Sequence, residues 1–315
     1  MTSDSQHRTV LQRLPQGARV AVVRLRSLGD CVLTTPALKL LKRERPDLEI
    51  GVVVEQRFAA VFEGNPAVSA ILAPELGVIR RWHPALCLNL HGGRPSQLLT
   101  LASGAQIRAG FAHHSGAAIY RVKIPRAQEI LGEERPVHTA EHLASAMFYL
   151  GVPIGEIPRA SLFAERHAAE RPYAVIHSTA AAAYKTWPAE RFLAVAEHLQ
   201  RTHALEPVFI GSGDDDLTLF HKYRRIAGAP LRDVMSLLAG ASLFVGNDSG
   251  PAHMAAALGI PVVVLFGRLE HQVTWAPWKA VAARTLTASE GISGITAKQA
   301  IEAIGELLRR ATNRD

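Results

Sequence analysis

The sequence lacks the features that mark several large protein classes. Its two cysteines, Cys31 and Cys87, stand alone without a CxxC pair, so we expect a reducing cytoplasm and no structural disulfide or zinc site. No apolar run reaches the roughly 18 residues of a membrane span, because Gly259 and Pro261 interrupt the longest candidate, Met254–Phe266. The N-terminal MTSDSQHRTV is polar and has no apolar signal core. The sequence therefore predicts a cytoplasmic protein without a transmembrane segment.

Aromatic residues and nucleotide fingerprints are also scarce. Aromatics make up 6% of the chain, and they are not interleaved with the scattered basic residues, which disfavours nucleic acid as a partner. Only Gly29 follows the first predicted strand, so the G-x-G-x-x-G fingerprint of NAD enzymes is missing there. What is abundant is Ala, Val and Leu, within a hydrophobic fraction of 48% and a charged fraction of 20%. Such a composition suits helices packed on parallel sheets, and the length suits about two domains.

Positive charge is concentrated in the first half of the chain. Residues 1–168 contain 20 Lys and Arg against 14 Asp and Glu, whereas the remainder contains 15 against 14. The imbalance favours an anionic partner such as a phosphorylated lipid or an acidic sugar, and a solvated basic surface is the alternative explanation.

Two successive strand–helix patterns predict an α/β protein with two Rossmann-like domains, 1–165 and 166–315, facing each other across a cleft. Strands are expected at 19–25, 48–54, 68–72, 85–90 and 106–111, and then at 173–177, 207–210, 242–245 and 262–266. Helices are expected after the first strand, where Pro36 opens or bends the helix, and at 137–150, 189–200, 214–227, 231–239 and 296–310. Residues 112–136 show no period and predict loops, and 153–172 predict a linker. Packing of the terminal helix back on the first domain is the alternative to packing within the second.

The most informative stretch is GNDSGPAHMAAALGIPVVVLF, Gly246–Phe266. It runs from a strand through a Gly-rich turn into a helix and then a buried strand. Gly246 and Gly250 allow close backbone approach, and the helix N-terminus offers N–H groups and a positive dipole end. The polar side chains at this entrance are Asp248, Ser249 and, one turn on, His253. The pattern suits a nucleotide diphosphate, and an ordinary N-capped helix explains it equally well.

Two other polar residues follow predicted strands. Asp30 could take a proton from a hydroxyl or simply cap a helix. Lys185 could neutralise a leaving phosphate or be a surface lysine, and Ser178 and Thr179 at the strand tip could donate to the same phosphate. Asp214–Asp216 resemble metal-binding carboxylates, but their position after Gly213 favours capping of a helix.

Four stretches together resemble one family. They are RLRSLGDCVLTTPALKLLK, HTAEHLASAMFYLGVP, IHSTAAAAYKTWPAERF and NDSGPAHMAAALGIPVVVLFG. In this order and spacing they are similar to the motifs of glycosyltransferase family 9, the heptosyltransferases of lipopolysaccharide inner-core synthesis. The resemblance covers roughly Val20 to Leu308.

The resemblance implies a GT-B fold and inverting, metal-independent sugar transfer. Residues 1–165 would bind the acceptor and 166–315 the nucleotide sugar, expected to be ADP-heptose, with no other cofactor. Asp30 would be the general base, Lys185 the phosphate-binding lysine, and Asp248, Ser249, Gly250 and His253 the diphosphate loop. Arg26, Ser27 and Arg94 are the acceptor-side candidates. The acceptor would be a lipid-linked acidic glycan met at the cytoplasmic face of the inner membrane, where peripheral contact is an option.

The chain also departs from the family pattern. Its loop 178–184 is Ala-rich where the family often carries Pro-Gly-Ala or Thr-Thr, and Thr186 replaces a frequent Arg. These differences leave the sugar and the base of the donor open. Two alternatives therefore remain beside transfer to lipopolysaccharide: a non-catalytic sugar-nucleotide-binding protein, and a family enzyme with a soluble or protein acceptor.

Overall fold

Two parallel six-stranded sheets contain the strands of the protein, one sheet in each half of the chain. The computed structural model describes residues 8–312. The chain divides into two compact units between Pro158 and Arg159, within the segment predicted as a linker. The predicted α/β class is confirmed.

The first unit alternates strands and helices along its length. Its elements are β1 (Arg19–Val23), α1 (Leu28–Glu44), β2 (Glu49–Val53), β3 (Ala70–Leu72), α2 (Leu76–Trp82), β4 (Leu86–Asn89), α3 (Arg94–Ala102), β5 (Ile107–Phe111), β6 (Val122–Ile124), α4 (Ala127–Leu131) and α5 (Thr139–Leu150).

The second unit repeats the alternation. Its elements are β7 (Tyr173–His177), α6 (Ala189–His203), β8 (Glu206–Gly211), β9 (Arg224–Ala227), α7 (Leu231–Gly240), β10 (Leu243–Asn247), α8 (Gly250–Ala257), β11 (Val262–Leu265), α9 (Leu269–Trp275), β12 (Ala283–Leu286) and α10 (Ala297–Thr312).

Both sheets have the same doubly wound order. The first runs β3-β2-β1-β4-β5-β6 and the second β12-β11-β10-β7-β8-β9, so in each unit the first strand pairs with the fourth. Strand order reverses at that pair, and ligands of open α/β sheets bind beyond the carboxyl ends of the strands at this point. The fold therefore marks one candidate position in each unit, after β1 and β4 and after β7 and β10.

Pro36 lies inside α1 and neither opens nor ends it. Proline has no N–H, so the carbonyl of Val32, one turn earlier, loses its usual helical partner. The Thr35 hydroxyl donates to that carbonyl at 2.8 Å. A local side-chain bond thus allows the helix to continue to Glu44.

The predicted helix over 214–227 is wrong. That segment forms a turn, a short 3-10 helix at Thr218–Phe220 and then the edge strand β9. The acidic side chains cap the turn, because Asp215 accepts from the Ser212 N–H and Asp216 from the Thr218 N–H. Acidic residues after a glycine suit a tight turn as well as a helix start.

Other differences concern short elements. The loop predicted over 112–136 contains β6 and α4, and the sequence did not indicate α2, α3, α9 or β12. Helix α10 packs on its own unit, because Ala300, Ile304 and Leu307 are buried in the core that β7 and β11 share. These apolar residues of α10 are therefore part of the core of the second unit. Among residues 8–312, no helix has the length and apolar character needed to cross a membrane.

The start of the second unit is tied to its helices by a strap, residues 159–167. The Arg159 guanidinium donates to the carbonyls of Ala256 and Ala257 at 3.0 and 3.3 Å, at the C-terminus of α8. The Leu162 N–H donates to the Ala257 carbonyl at 3.3 Å. A cation at a helix C-terminus satisfies carbonyls that have no partner inside the helix and is favoured by the helix dipole.

We expect Arg159→Leu to lower the free energy of unfolding by about 1–2 kcal/mol, because two carbonyls lose a charged donor. Urea unfolding followed by circular dichroism measures the change. Arg166→Leu is the matched control, since Arg166 is an exposed residue of the same strap. Equal losses in the two variants would show that Arg159 contributes only as a surface charge.

Candidate functional site

Asp30 lies at the reversal point of the first sheet, in the first turn of α1. Ser27, not Asp30, occupies the N-cap position, and its hydroxyl donates to Asp30 Oδ2 at 3.3 Å. The Asp30 side chain is 31% exposed. A carboxylate in this position is free of the cap role and open to a ligand, as proton abstraction requires.

A buried guanidinium stands behind Asp30. Arg24 directly follows β1, its Nη1 lies 3.8 Å from Asp30 Oδ2, and its side chain is 7% exposed. Another of its nitrogens donates to the Leu90 carbonyl, just after β4. Burial lowers the pKa of Arg24, and the Asp30 carboxylate opposes that shift. Arginine nevertheless remains charged in proteins, so Arg24 places a fixed positive charge beside the carboxylate.

Four histidines of the first unit have lowered pKa values. Burial is the first cause that lowers the pKa values of His91, His113, His114 and His142. Arg24 adds to the shift at three of them, the exception being His113. The strongest shift is that of His142, whose pKa falls from 6.5 to about 4 and whose ring stacks on Phe111 at 4.0 Å between centroids. At neutral pH these rings are uncharged hydrogen-bonding groups.

The turn after β4 is shaped by a buried amide. Asn89 Oδ1 accepts from the N–H groups of His91 and Gly92, both at 3.0 Å. Its Nδ2 donates to Ser96 and Thr100, both at 3.1 Å. These bonds fix the turn that leads into α3.

The acceptor-side candidates lie at the same end of the first sheet as Asp30. Arg26 is exposed, with Nε 3.9 Å from Glu55. Arg94 begins α3 with an exposed side chain. Together with Ser27 and Asp30, these residues follow β1 and β4, so the topology brings them to one end of the first sheet.

The reversal point of the second sheet is organised by Asn247, the last residue of β10. Its Nδ2 donates to the carbonyl of Ser178 at 3.0 Å and, more weakly, to that of Thr179 at 3.4 Å. Its Oδ1 accepts from the Trp187 N–H at 3.1 Å. The Trp187 ring is fully buried and donates from Nε1 to the Ile295 carbonyl at 2.8 Å. Asn247 thus holds both ends of the loop 178–187.

Lys185 projects from this loop to Asp248. Its Nζ lies 2.6 Å from Asp248 Oδ2, and the two side chains are 22% and 5% exposed. The ammonium also lies 5.5 Å from the centre of the Trp275 ring on α9. Of the two sequence interpretations of Lys185, the surface lysine does not fit this partly buried, paired side chain.

The N-terminus of α8 lies beside the ion pair. Ser249 is its N-cap residue, Gly250 is its first residue, and His253 is buried in its first turns. Gly246 is required for close packing, because a Cβ there would lie 2.9 Å from the His177 carbonyl. The side chains predicted for the donor therefore gather at one end of β7 and β10.

A chain of polar contacts runs behind this helix end. Ser249 Oγ lies 3.0 Å from His177 Nδ1, and His177 Nε2 lies 3.3 Å from Thr179 Oγ1. The Thr179 hydroxyl donates to Asp215 Oδ2 at 3.0 Å. Ser178 is buried nearby, and its hydroxyl has no hydrogen-bond partner.

Asp215 is thus part of the site at the end of the second sheet, whereas the sequence favoured capping of a helix by Asp214–Asp216 over a metal-binding role. Asp216 caps the following turn through Thr218. Within residues 8–312, no group of three or more His, Cys, Asp or Glu is arranged to hold a metal ion.

Sequence reasoning missed several residues of the second site. Asn247 and His177 stood inside the quoted motifs, and their positions at strand ends were an available signal. The contacts of Asp215 and Trp275 had no local signal. The contacts that Gly267 and Arg268 make with Tyr184 also had no local signal. The Arg268 guanidinium lies 4.8 Å from the centre of the Tyr184 ring, and a Cβ on Gly267 would lie 2.1 Å from the Tyr184 carbonyl oxygen.

Comparison with known proteins relates the chain to one family. Residues 85–293 match the model of the family described as glycosyltransferase family 9 (heptosyltransferase). The lipopolysaccharide heptosyltransferase 3 of Escherichia coli is 25% identical over 81% of this chain and 84% of its own length.

Solved structures of the same kind share the fold. A glycosyltransferase family 9 protein from Veillonella parvula has a TM-score of 0.81 at 21% identity, covering 93% of this chain and 97% of its own. The ADP-heptose LPS heptosyltransferase II of E. coli has a TM-score of 0.78 at 21% identity, covering 93% and 99%. The predicted GT-B fold is confirmed by these likenesses.

The two buried histidines predict how stability depends on pH. Burial lowers the pKa of His177 on β7, like that of His142 on α5, from 6.5 to about 4. Because the folded pKa values lie below the unfolded ones, the unfolded chain binds more protons between them. The stability that the neutral rings confer is complete above about pH 6.5 and is lost as the pH falls towards 4.

We expect the free energy of unfolding to fall by roughly 1.4 kcal/mol per pH unit for each histidine in this window. Urea unfolding at several pH values measures the slope. His142→Gln should reduce the slope by the contribution of one histidine. A slope unaffected by His142→Gln would contradict the assignment.

Proposed function

The chain belongs to glycosyltransferase family 9, and we propose that it is an inverting, metal-independent enzyme that transfers heptose from ADP-heptose to a lipopolysaccharide inner-core or related glycan acceptor. The relative and the solved structure whose names refer to lipopolysaccharide and ADP-heptose support this choice of substrates. The proposal gives acceptor binding to the first domain and donor binding to the second.

The observation that carries the proposal is the ion pair of Lys185 and Asp248 at the N-terminus of α8. The Lys185 ammonium lies 2.6 Å from the Asp248 carboxylate, and the pair directly precedes α8, whose N-terminus is the positive end of the helix dipole. Backbone N–H groups at a helix N-terminus bind phosphate, and a lysine beside them adds a full charge. Such a site suits a diphosphate that gains negative charge as it leaves.

The proposed reaction is a single displacement. The Asp30 carboxylate takes the proton of the acceptor hydroxyl, and the oxygen attacks the anomeric carbon of the donor. The bond from that carbon to the diphosphate oxygen breaks, its electron pair stays on the diphosphate, and ADP leaves. The attack inverts the anomeric centre because nucleophile and leaving group occupy opposite faces.

Positive charge for the leaving group comes from the second unit. Lys185 and the first turn of α8 stabilise the developing charge, and the Ser178 hydroxyl stands at the adjacent strand end, whereas the single hydrogen of the Thr179 hydroxyl is already donated to Asp215. Ser178 Oγ is buried without a partner, so a phosphate oxygen would satisfy it. In this proposal these groups take the part that a divalent metal plays in other transferases.

The first unit offers basic side chains to an acidic acceptor. Arg26 and Arg94 are exposed at the end of the sheet where Asp30 lies. The surplus of positive charge in residues 1–168 favours approach to an anionic, lipid-linked glycan. We accordingly propose a cytoplasmic enzyme with peripheral contact to the inner membrane.

We expect Asp30→Asn to lower kcat for transfer by about 10²–10⁴-fold, because the amide cannot accept the hydroxyl proton. Steady-state assays with ADP-heptose and a lipopolysaccharide acceptor measure the loss. Glu55→Gln is the matched control, a neighbouring carboxylate that pairs with Arg26 and Arg57. Comparable losses in both variants would mean that only the local negative charge matters.

Binding of the donor should survive in the same variant. In a thermal-shift comparison of ADP-, GDP- and UDP-sugars, the ADP-sugar should stabilise the wild type and Asp30→Asn alike, since a ligand of the folded state raises stability by mass action. Stabilisation by a different nucleotide would overturn the donor assignment. Binding without turnover in the wild type would favour a non-catalytic sugar-nucleotide-binding protein.

A further inference from the structure

Helix α3 exposes leucine where a surface helix normally exposes polar side chains. Its buried side is formed by Ser96, Leu99 and Thr100. Leu98 and Leu101 lie on the opposite side of the helix and are 60% and 46% exposed. In α6 of the second unit, by contrast, every exposed position carries a polar side chain, as an amphipathic surface helix requires. The two leucines of α3 therefore form an apolar ridge that is open to the surroundings.

Arg94 extends this ridge to the end of the first sheet. It lies four residues before Leu98 and seven before Leu101, so the three side chains share one face of the helix. Arg94 is exposed and begins α3 after the turn that follows β4. The basic end of the ridge thus lies at the end of the sheet where Asp30 lies, and Leu101 lies about 10 Å further along the helix axis.

Helix α2 packs beside α3 and carries the same combination of residues. Both helices connect strands in the same direction along the sheet order, so they cover the same face of the sheet, and Ile79 and Leu99 lie in one core. On the outer side of α2, Leu76 is 54% exposed, and Arg80 and Arg81 are exposed as well. Two neighbouring helices therefore present leucine and arginine together.

The chain around these helices contains no acidic residue. Residues 76–128 hold seven Lys and Arg and no Asp or Glu. Six of the seven basic residues are exposed, the exception being Arg108. The remainder of residues 1–168 holds 13 Lys and Arg against 14 Asp and Glu, so the positive surplus of the first half comes from this stretch. An anionic partner of the first unit is therefore expected to meet it here.

We propose that the outer sides of α2 and α3 form a membrane-docking face for an anionic phospholipid bilayer, made of Leu76, Arg80, Arg81, Arg94, Leu98 and Leu101. Apolar side chains that enter the headgroup region and basic side chains that contact lipid phosphates strengthen binding together. The inference rests on the proposed function, in which the acceptor is lipid-linked. Arg94 then brings the bilayer to the end of the sheet that holds Asp30.

The leucines should contribute directly to vesicle binding. We expect the wild type to sediment with vesicles of phosphatidylglycerol and phosphatidylethanolamine, and far less with phosphatidylcholine alone. Leu98→Gln combined with Leu101→Gln should lower the partition coefficient about tenfold, because two apolar side chains no longer enter the bilayer surface. Leu219→Gln combined with Leu269→Gln changes two exposed leucines of the second unit and should leave the partition coefficient unchanged.

The arginines should contribute through charge. Arg80→Gln combined with Arg81→Gln should lower the partition coefficient about 25-fold, since each arginine near an anionic surface contributes about fivefold. High salt should weaken binding of the wild type in the same assay. The matched control is Arg224→Gln combined with Arg225→Gln, which removes two adjacent exposed arginines of β9.

Wild-type protein that does not bind anionic vesicles, or leucine variants that bind like the wild type, would overturn the docking face. A wild-type dimer that the Leu98 and Leu101 replacements dissociate in analytical ultracentrifugation would assign the ridge to a second copy of the chain and overturn the docking face too. Stabilisation by ADP in a thermal-shift assay tests the proposed function separately. Vesicle binding by a wild type that binds no ADP would overturn the proposed donor and support the docking face.

Discussion

One buried amide, that of Asn247, fixes the arrangement on which the second unit's site depends. It ends β10 and bonds three backbone groups of the loop after β7, two carbonyls at the beginning and one N–H at the end. A side-chain amide that has two donors and two acceptor lone pairs can do this in the dry interior, where a missing partner is costly. The position of Lys185 follows, because the loop that carries it is held at both ends.

The first unit uses the same position for a different purpose. Asn89 ends β4, the strand that corresponds to β10 in sheet order, and its amide is equally buried. Its bonds stay within the turn after its own strand and the following helix. The strand-end turn of the first unit is therefore shaped locally. In the second unit the amide reaches the neighbouring loop, and the polar groups there are tied into one network.

The sequence predicted what depends on neighbours along the chain. The apolar runs of β1, β7 and β11 and the turn before α8 were visible as local patterns, and so were Asp30 and Lys185 as polar residues after strands. The prediction of a helix in the segment after β8 was wrong because an acidic residue after a glycine caps a turn as readily as a helix. Contacts that join Thr179 to Asp215 or Trp187 to Asn247 span 36 and 60 residues. Periodicity carries no information on such pairs, because they arise only when the sheet brings strand ends together.

The ion pair of Lys185 and Asp248 shows why the contributions of individual residues to ligand binding at this site are not independent. Both side chains are largely removed from water, so the pair attracts more strongly than a surface pair, and each charge alone would be costly there. Asp248 competes with a diphosphate for the ammonium, yet it also keeps that ammonium beside the helix end. Without Lys185, the Asp248 carboxylate would stand unneutralised where the diphosphate is proposed to bind and would repel it. The lysine thus acts twice, as a partner for the ligand and as the group that makes the helix end accessible to an anion at all.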